Sequence, residues 1–392
     1  MNVIGLMSGT SADGVDAALV DIRAGAGRPA LRLLAFETFP YPPGLRARIL
    51  AAASGGSTED VCHLNAYLGE LFAEAAGGIA RRAGVPLAAV DLIGSHGQTI
   101  HHLPSPRLEG PHGVRSTLQI GAPAVIAERT GVTTVADFRP RDMAAGGEGA
   151  PLTPLVHHIL FAHASRGRVI LNLGGIANVT VLPAGADAGS VTGFDTGPAN
   201  VLLDEFAQTT GLAECGYDAG GRLAAAGKPV PDILADLLQH PFILRAPPKS
   251  TGRETFNPAF VAGFRDRLAR RGTSAIDGLA TLAAFTVQAV ARNLRAFVFP
   301  AAAIQEVVVM GGGAENAALM RGLAEALPEC EVLPAESLRI PGRAVEAMAF
   351  AALAYLTASG QPGNLPRVTG ARAFRVLGCI VPGANYRGLI DG

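Results

Sequence analysis

Gly5-Leu6-Met7-Ser8-Gly9-Thr10-Ser11-Ala12-Asp13-Gly14-Val15-Asp16 is a polar, glycine-rich turn between two apolar runs, residues 3–7 and 16–22. Glycine and small hydroxyl residues let backbone N–H groups come close to phosphate oxygens. The stretch Gly9, Thr10, Ser11, Ala12, Asp13, Gly14, Val15 and Asp16 is therefore a candidate phosphate grip. Asp13 and Asp16 are candidate metal contacts through water, because Mg²⁺ gives up its hydration reluctantly. The same spacing also suits an ordinary hairpin turn.

Outward from this turn, a third strand-like run covers residues 31–39. Residues 61–83 then read as a helix, with Leu64, Leu68, Leu71, Phe72, Ala75 and Ile79 at helical spacing and Gly84 as its stop. A short strand at 90–94 ends in Ser95-His96-Gly97-Gln98-Thr99. A helix at 122–129 and a strand at 132–138 follow. Three strands joined by hairpins and then helix crossovers describe a ribonuclease-H-like mixed sheet. Residues 146–149 form a loop, and 151–164 read as a helix leading out of this lobe.

The pattern then restarts. Strand 168–174, the turn Gly174-Gly175, strand 177–182, strand 191–195, helices 200–210 and 277–299, and strand 306–310 make a second lobe. A helix at 345–357 returns to the first. The expected fold is α/β, with two ribonuclease-H-like lobes. One comprises residues 1–150 plus 345–392, the other 151–344.

The second lobe carries two more polar turns. Asn172-Leu173-Gly174-Gly175 precedes Asp195-Thr196-Gly197-Pro198-Ala199-Asn200, where Asp195 sits at a strand end before a helix. Its carboxylate suits proton abstraction from water or a hydroxyl, or bonding to the turn amides. Met310-Gly311-Gly312-Gly313-Ala314-Glu315-Asn316 would let a flat ligand lie against its backbone. It matches neither the P-loop nor the dinucleotide fingerprint. Asn172, Gly174, Gly175, Gly311, Gly312, Gly313 and Asn316 join the first turn as candidate nucleotide contacts. Three such turns would surround a nucleotide lying in a cleft between the lobes.

Composition narrows the alternatives. The 392 residues carry a formal net charge of −1, with 49% hydrophobic and 17% charged residues. A polybasic nucleic-acid footprint is absent. Lys228 and Lys249 are the only lysines, so no lysine lies in a glycine-rich loop. The four cysteines, Cys62, Cys215, Cys330 and Cys379, have no metal or redox spacing. The N-terminus lacks a signal-peptide pattern, since Asp13 and Asp16 fall where an apolar run belongs. Residues 279–304 are broken by Gln288, Arg292 and Arg295 and read as a core helix rather than a membrane span. A reducing cytoplasm is the expected compartment.

Taken together, the motifs resemble the anhydro-N-acetylmuramic acid kinases nearly end to end. The resemblance rests on residues 4–11 with Asp13-Gly14, on 94–99, 135–142 and 146–151, and on 172–178 and 195–198. Pro248-Lys249-Ser250-Thr251-Gly252-Arg253-Glu254, Gly311 to Gly313, 345–350 and 362–366 complete it. It implies the actin-like ATPase fold and a cytoplasmic homodimer with no nucleic-acid or membrane partner. The implied reaction uses ATP, Mg²⁺ and water to open the 1,6-anhydro ring of the sugar and phosphorylate O6.

Carried over by motif, Asp195 would be the general base. His96, Gln98, Thr99, Arg139 and Glu346 would contact the sugar, Arg139 taking its lactyl carboxylate. A structural ion pair between Arg139 and Asp142 is the competing reading of those two residues. The histidines at 101, 102, 157, 158 and 163 read as structural or surface groups. Three departures stand out: Ala199 where the family has glycine, Ala12 where it has leucine, and Arg343 where it has aspartate. The rival functions are another small-sugar or small-acid kinase and an ATP-gated binding module.

Overall fold

The computed structural model describes residues 1–25, 27–213 and 215–390, so the last two residues of the expected 345–392 return lie outside the described residues. Twelve strands follow in chain order: β1 (Asn2–Ser8), β2 (Gly14–Arg23), β3 (Ala30–Pro40), β4 (Leu92–Glu109), β5 (His112–Ile120), β6 (Thr134–Ala136), β7 (Arg168–Leu173), β8 (Ile176–Leu182), β9 (Thr192–Pro198), β10 (Glu306–Met310), β11 (Glu331–Pro334) and β12 (Cys379–Val381).

They form two sheets. The first has the order β12-β6-β4-β1-β2-β3, with β5 hairpinned onto β4, and the second has the order β11-β10-β7-β8-β9. In the first, β1, β2 and β3 form an antiparallel meander, and β4 and β6 add in parallel on the other side of β1. In the second, β7, β8 and β9 repeat the meander, and β10 and β11 repeat the parallel addition. This is the ribonuclease-H-like wiring, present twice.

The first unit comprises Met1–Leu160 and Ala344–Gly392, the second Phe161–Arg343. The first border falls after Leu160 rather than after residue 150. The physical reason is the helix Thr153–Phe161, whose Val156 and Leu160 pack with Ala349 and Ala352 of the returning helix Val345–Ala358.

In the first unit the alternation along β1 decides which helix covers which face. Ile4 and Leu6 pack with Leu64, Leu68, Phe72 and Ile79 of the helix Thr58–Arg82. Ser57 starts that helix by accepting the Asp60 N–H at 3.1 Å, which satisfies one of its orphan donors. On the opposite face Gly5 and Gly94 are cross-strand partners in β1 and β4. A Cβ at Gly5 would lie 1.8 Å from the Ala347 carbonyl oxygen, and one at Gly94 would lie 2.0 Å from that of Phe350. The alanine-rich helix Val345–Ala358 thus lies with its backbone directly on the sheet. In the second unit, Val169, Leu171, Val179, Val307 and Val309 pack against Leu279, Leu282, Phe285 and Val290 of the helix Ala275–Asn293.

Several expected elements differ in extent. The strand expected at 90–94 runs on to Glu109 because its polar stretch pairs with β5. The strand expected at 132–138 is only Thr134–Ala136, because Asp137 takes a left-handed φ of 55° and Phe138 opens the helix Phe138–Ala144. The long helix of the second unit ends at Asn293 in a wider turn, Leu294–Val298. Among the described residues no helix is long and apolar enough to cross a membrane, and all four cysteines are free.

Candidate active site

In the first unit the turn between β1 and β2 is built on Ser8. Its buried Oγ lies 2.8 Å from the Gly14 carbonyl and 2.7 Å from Gln98 Oε1, and accepts the Tyr41 hydroxyl at 2.9 Å. Gln98 Nε2 donates to the Gly9 carbonyl at 3.1 Å. Gln98 therefore pins the turn from β4. Ala12 sits in the left-handed region at φ 52°, fully buried, a conformation that costs a non-glycine residue roughly 1 kcal/mol. Ser11 donates to the exposed Asp13 at 2.9 Å, and Thr38 donates to the half-buried Asp16 at 2.5 Å.

The glycines of the three turns fall into two groups. A Cβ at Gly9 would find no protein atom nearer than 3.9 Å, at Gly174 none nearer than 3.6 Å, and at Gly175 and Gly312 none nearer than 3.8 Å. Their smallness is not needed by the protein's own packing. Gly311 and Gly313 differ: a Cβ there would lie 2.5 Å from Asn172 Oδ1 and from Leu173 Cβ respectively. They are required by close packing on β7. Gly14 is likewise pressed against β3.

Arg139 and His96 form one unit. Arg139 Nε donates to His96 Nε2 at 3.0 Å, and Nη1 donates to the Gly149 carbonyl at 2.7 Å. His96 Nδ1 is 2.9 Å from the Gly97 carbonyl, so the proton sits on Nδ1. Burial, followed by the Arg139 charge, holds the imidazole well below its usual pKa, so it stays neutral. Its ring lies 4.6 Å from that of Phe350. Burial also lowers Arg139 to about 10, against the opposing charges of Glu346 and Asp142. Nε and Nη1 are thus engaged by the protein itself.

The competing reading, an ion pair between Arg139 and Asp142, has no counterpart among the ion pairs of the described residues. Asp142 is fully buried and accepts from Gly149 N–H at 2.9 Å, Asn364 Nδ2 at 2.7 Å and Thr369 Oγ1 at 2.8 Å. Both residues instead hold Gly149, one at each end of its peptide. Half-buried Glu346 stands at the start of the returning helix. Burial first, then the Asp16 charge, raises its pKa, and Arg139 opposes them. Thr99 is half-buried and accepts Gln119 Nε2 at 3.3 Å.

In the second unit Asp195 lies within β9 rather than at a strand end, because the strand continues to Pro198. Its backbone N–H donates to the Lys249 carbonyl at 3.1 Å. Its carboxylate accepts the Thr251 N–H at 2.8 Å and the Ser250 hydroxyl at 3.2 Å. Burial raises its pKa, and the Thr251 and Ser250 bonds and the Lys249 charge oppose the rise, with Glu254 adding to it. A carboxylate made more basic yet kept accessible to ionisation suits proton abstraction. Beside it, Thr251 Oγ1 is buried without a hydrogen-bond partner.

The turn at Gly174-Gly175 is bolted to the helix Asn200–Thr210 by Asn200 Nδ2, 3.0 Å from the Leu173 carbonyl and 2.9 Å from that of Gly174. Asn316 caps the helix Ala317–Ala326, its Oδ1 accepting from Ala318 and Leu319 N–H at 3.0 and 3.1 Å. Ala199 is fully buried, with φ −126° and ψ −111°. Arg343 pairs with Glu315 at 2.7 Å, both exposed.

The profile of the anhydro-N-acetylmuramic acid kinase family matches residues 1–383. An anhydro-N-acetylmuramic acid kinase of Caldanaerobacter subterraneus subsp. tengcongensis is 44% identical over 96% of this chain and 96% of its own length. The enzyme of that name from Salinibacter ruber is 44% identical over 97% and 96%, and one from Bacillus cereus is 42% identical over 97% and 99%. Among solved structures, a ROK hexokinase from Thermus thermophilus overlays with a TM-score of 0.37 at 19% identity, covering 92% of this chain and 99% of that one, a likeness too loose to argue from.

Proposed function

Because this chain belongs to the anhydro-N-acetylmuramic acid kinase family, we infer that it is a kinase of cell-wall recycling that acts on 1,6-anhydro-N-acetylmuramic acid. The product is N-acetylmuramic acid 6-phosphate, with ADP. Water attacks C1 and the C1–O6 bond breaks. O6 forms its bond to the γ-phosphorus as the bond to ADP breaks, and Asp195 takes the proton that water gives up. The observation that supports this role is the environment of Asp195: a carboxylate with a burial-raised pKa, held by one backbone N–H and one hydroxyl.

ATP is assigned to the three turns. The open space beside Gly9, Gly174, Gly175 and Gly312 fits phosphates and ribose lying against the backbone. Among the described residues no group of three or more acidic, histidine or cysteine side chains would hold a metal by itself. Asp13 and Asp16 therefore suit an ion carried mainly by phosphate oxygens and water. Bound Mg²⁺ would neutralise phosphate charge. For the sugar, Arg139 offers the edge not used by His96 and Gly149 to the lactyl carboxylate, while Glu346 and Thr99 are assigned to ring hydroxyls. His96 and Gln98 act by holding Arg139 and the first turn. A cytoplasmic location and a homodimer belong to the same proposal, and light scattering of the purified chain tests the second.

The test is mass spectrometry of the product formed in ¹⁸O-labelled water. Label at the C1 hydroxyl with the phosphate on O6 is expected. Label in phosphate, or product formed equally well from sugars without the bridge, refutes the reading. In the same assay 1,6-anhydro-N-acetylglucosamine, which lacks the lactyl group, is expected to lose roughly a hundredfold in kcat/KM through the unpaired Arg139. Equal reactivity would remove Arg139 from carboxylate binding.

A further inference from the structure

One buried charge beside Asp195 has no part in the chemistry so far. Only two of the chain's 32 basic Lys and Arg residues are lysines. Lys228 is exposed, whereas Lys249 is 5% exposed. Its ammonium lies over the rings of Phe242, Phe297 and Phe194 at 4.9, 5.5 and 6.0 Å. It donates to the carbonyls of Phe242 at 3.0 Å and Ile243 at 3.2 Å, and the second carbonyl also faces Asn293 Nδ2 at 3.4 Å. A cation among three ring faces and two carbonyls is well solvated by the protein. A branched guanidinium is wider than an ammonium. This gives a physical reason for lysine at 249 in a chain where all but two of the Lys and Arg residues are arginine.

What this slot supports is the strip that holds the base. The Lys249 carbonyl receives the Asp195 N–H, and the next two residues supply the hydroxyl and the N–H that the Asp195 carboxylate accepts. Phe194, which forms one wall of the slot, immediately precedes Asp195. Anchor, strip and base are therefore one continuous structure.

We propose that Lys249 is the positioning residue for Asp195, its buried ammonium fixing the 249–251 strip against β9 and placing a positive charge near the Asp195 carboxylate. The proposal rests on the assignment of Asp195 as the base. Burial, then the nearby Arg245 charge, lowers Lys249 to about 8, and Asp195 pulls the other way, so the ammonium is charged at neutral pH. The charged groups bearing on the pair are Arg245 on the lysine side and Glu254 on the aspartate side.

The test compares kcat against pH in the full-length enzyme for the wild type, Lys249→Met, Lys249→Arg and Ser250→Ala. The base works deprotonated, so kcat falls as pH drops through the Asp195 pKa. Removing the Lys249 charge raises that pKa. In Lys249→Met the acidic limb is expected to move to higher pH, with a tenfold or greater loss of plateau kcat and KM values for sugar and ATP within twofold. Lys249→Arg keeps the charge and is expected to keep the limb in place while losing plateau kcat through the poorer fit. Ser250→Ala removes a direct bond to the carboxylate and is expected to raise the limb independently of Lys249.

If Lys249→Met gives no folded protein, Lys249→Gln, whose amide still donates to the two carbonyls, is measured in its place against the same expectation. A folded uncharged variant with its limb unmoved, while Ser250→Ala moves it, overturns the role of Lys249. Ser250→Ala with an unmoved limb overturns instead the assignment of Asp195 as the base.

Discussion

Asp195→Asn is expected to lower kcat roughly a thousandfold while leaving both KM values within about threefold. The substitution keeps the shape of the side chain. Both bonds fall on one carboxylate oxygen, so the amide oxygen turned to that position still accepts the Thr251 N–H and the Ser250 hydroxyl, and Nδ2 takes the place of the other oxygen. Among the described residues none forms a close ion pair with Asp195, so the change leaves only Lys249 without its nearby counter-charge. What disappears is basicity, and with it the proton acceptor for the attacking water. The measurement is steady-state turnover by coupled ADP release, with binding checked by calorimetry. Turnover within fivefold of wild type would take Asp195 out of its role and leave the water to be activated elsewhere.

The second large effect concerns stability. Gly94→Ala should destabilise the first unit by about 3 kcal/mol or more, corresponding to roughly 6–12 °C in Tm for a unit of this size. The new methyl would lie 2.0 Å from the Phe350 carbonyl oxygen. Backbone on both sides has no rotamer with which to yield, so the helix Val345–Ala358 must lift off the sheet. Glu346 and Phe350 ride on that helix, and Phe350 carries the His96 ring that orients Arg139. Sugar KM should therefore rise in whatever folded protein remains.

Gly9→Ala is the internal contrast. Its methyl would meet no protein atom nearer than 3.9 Å, so Tm should hold within 1–2 °C, about the shift expected of a surface substitution, while ATP KM rises. Scanning calorimetry of both variants decides. Equal Tm values for Gly94→Ala and wild type would mean that the glycine row does not set the helix height, and an unchanged ATP KM in Gly9→Ala would mean that the space is not the nucleotide's.

The parts legible in the sequence were those governed by local pattern. The strand Glu306–Met310 and the helix Asn200–Thr210 were bounded by periodicity and by Gly and Asn punctuation, and both match residue for residue. The long hairpin from Leu92 was not legible beyond Gly94. Its continuation, Ser95 to Glu109, carries three histidines and two prolines, and its strand state comes from pairing with residues 112–120. The short strand near Val135 was overestimated because Asp137 breaks it with a left-handed φ that composition does not announce.

Site residues divide in the same way. The resemblance placed Arg139 and His96 in the site, but only the geometry shows that one holds the other. An ion pair with Arg139 is only the competing reading of Asp142, which is the acceptor that ties Gly149 to Asn364 and Thr369. Lys249 carried no sequence signal of burial. It sits in a proline- and serine-flanked stretch without periodicity, and its rarity was noted only as a missing phosphate ligand.

Lysine scarcity has a practical consequence. Lys228 is followed by Pro229, a linkage that endoproteases hydrolyse poorly. A lysine-directed protease thus has a single good target in the whole polypeptide, the Lys249–Ser250 bond, and it lies inside the catalytic strip with its side chain enclosed by aromatic rings. Cutting must wait for that enclosure to come apart, so the digestion rate becomes a clock for local opening at the base itself. Slowing of the clock by sugar or nucleotide would measure, in untagged native enzyme, how much each ligand tightens the strip.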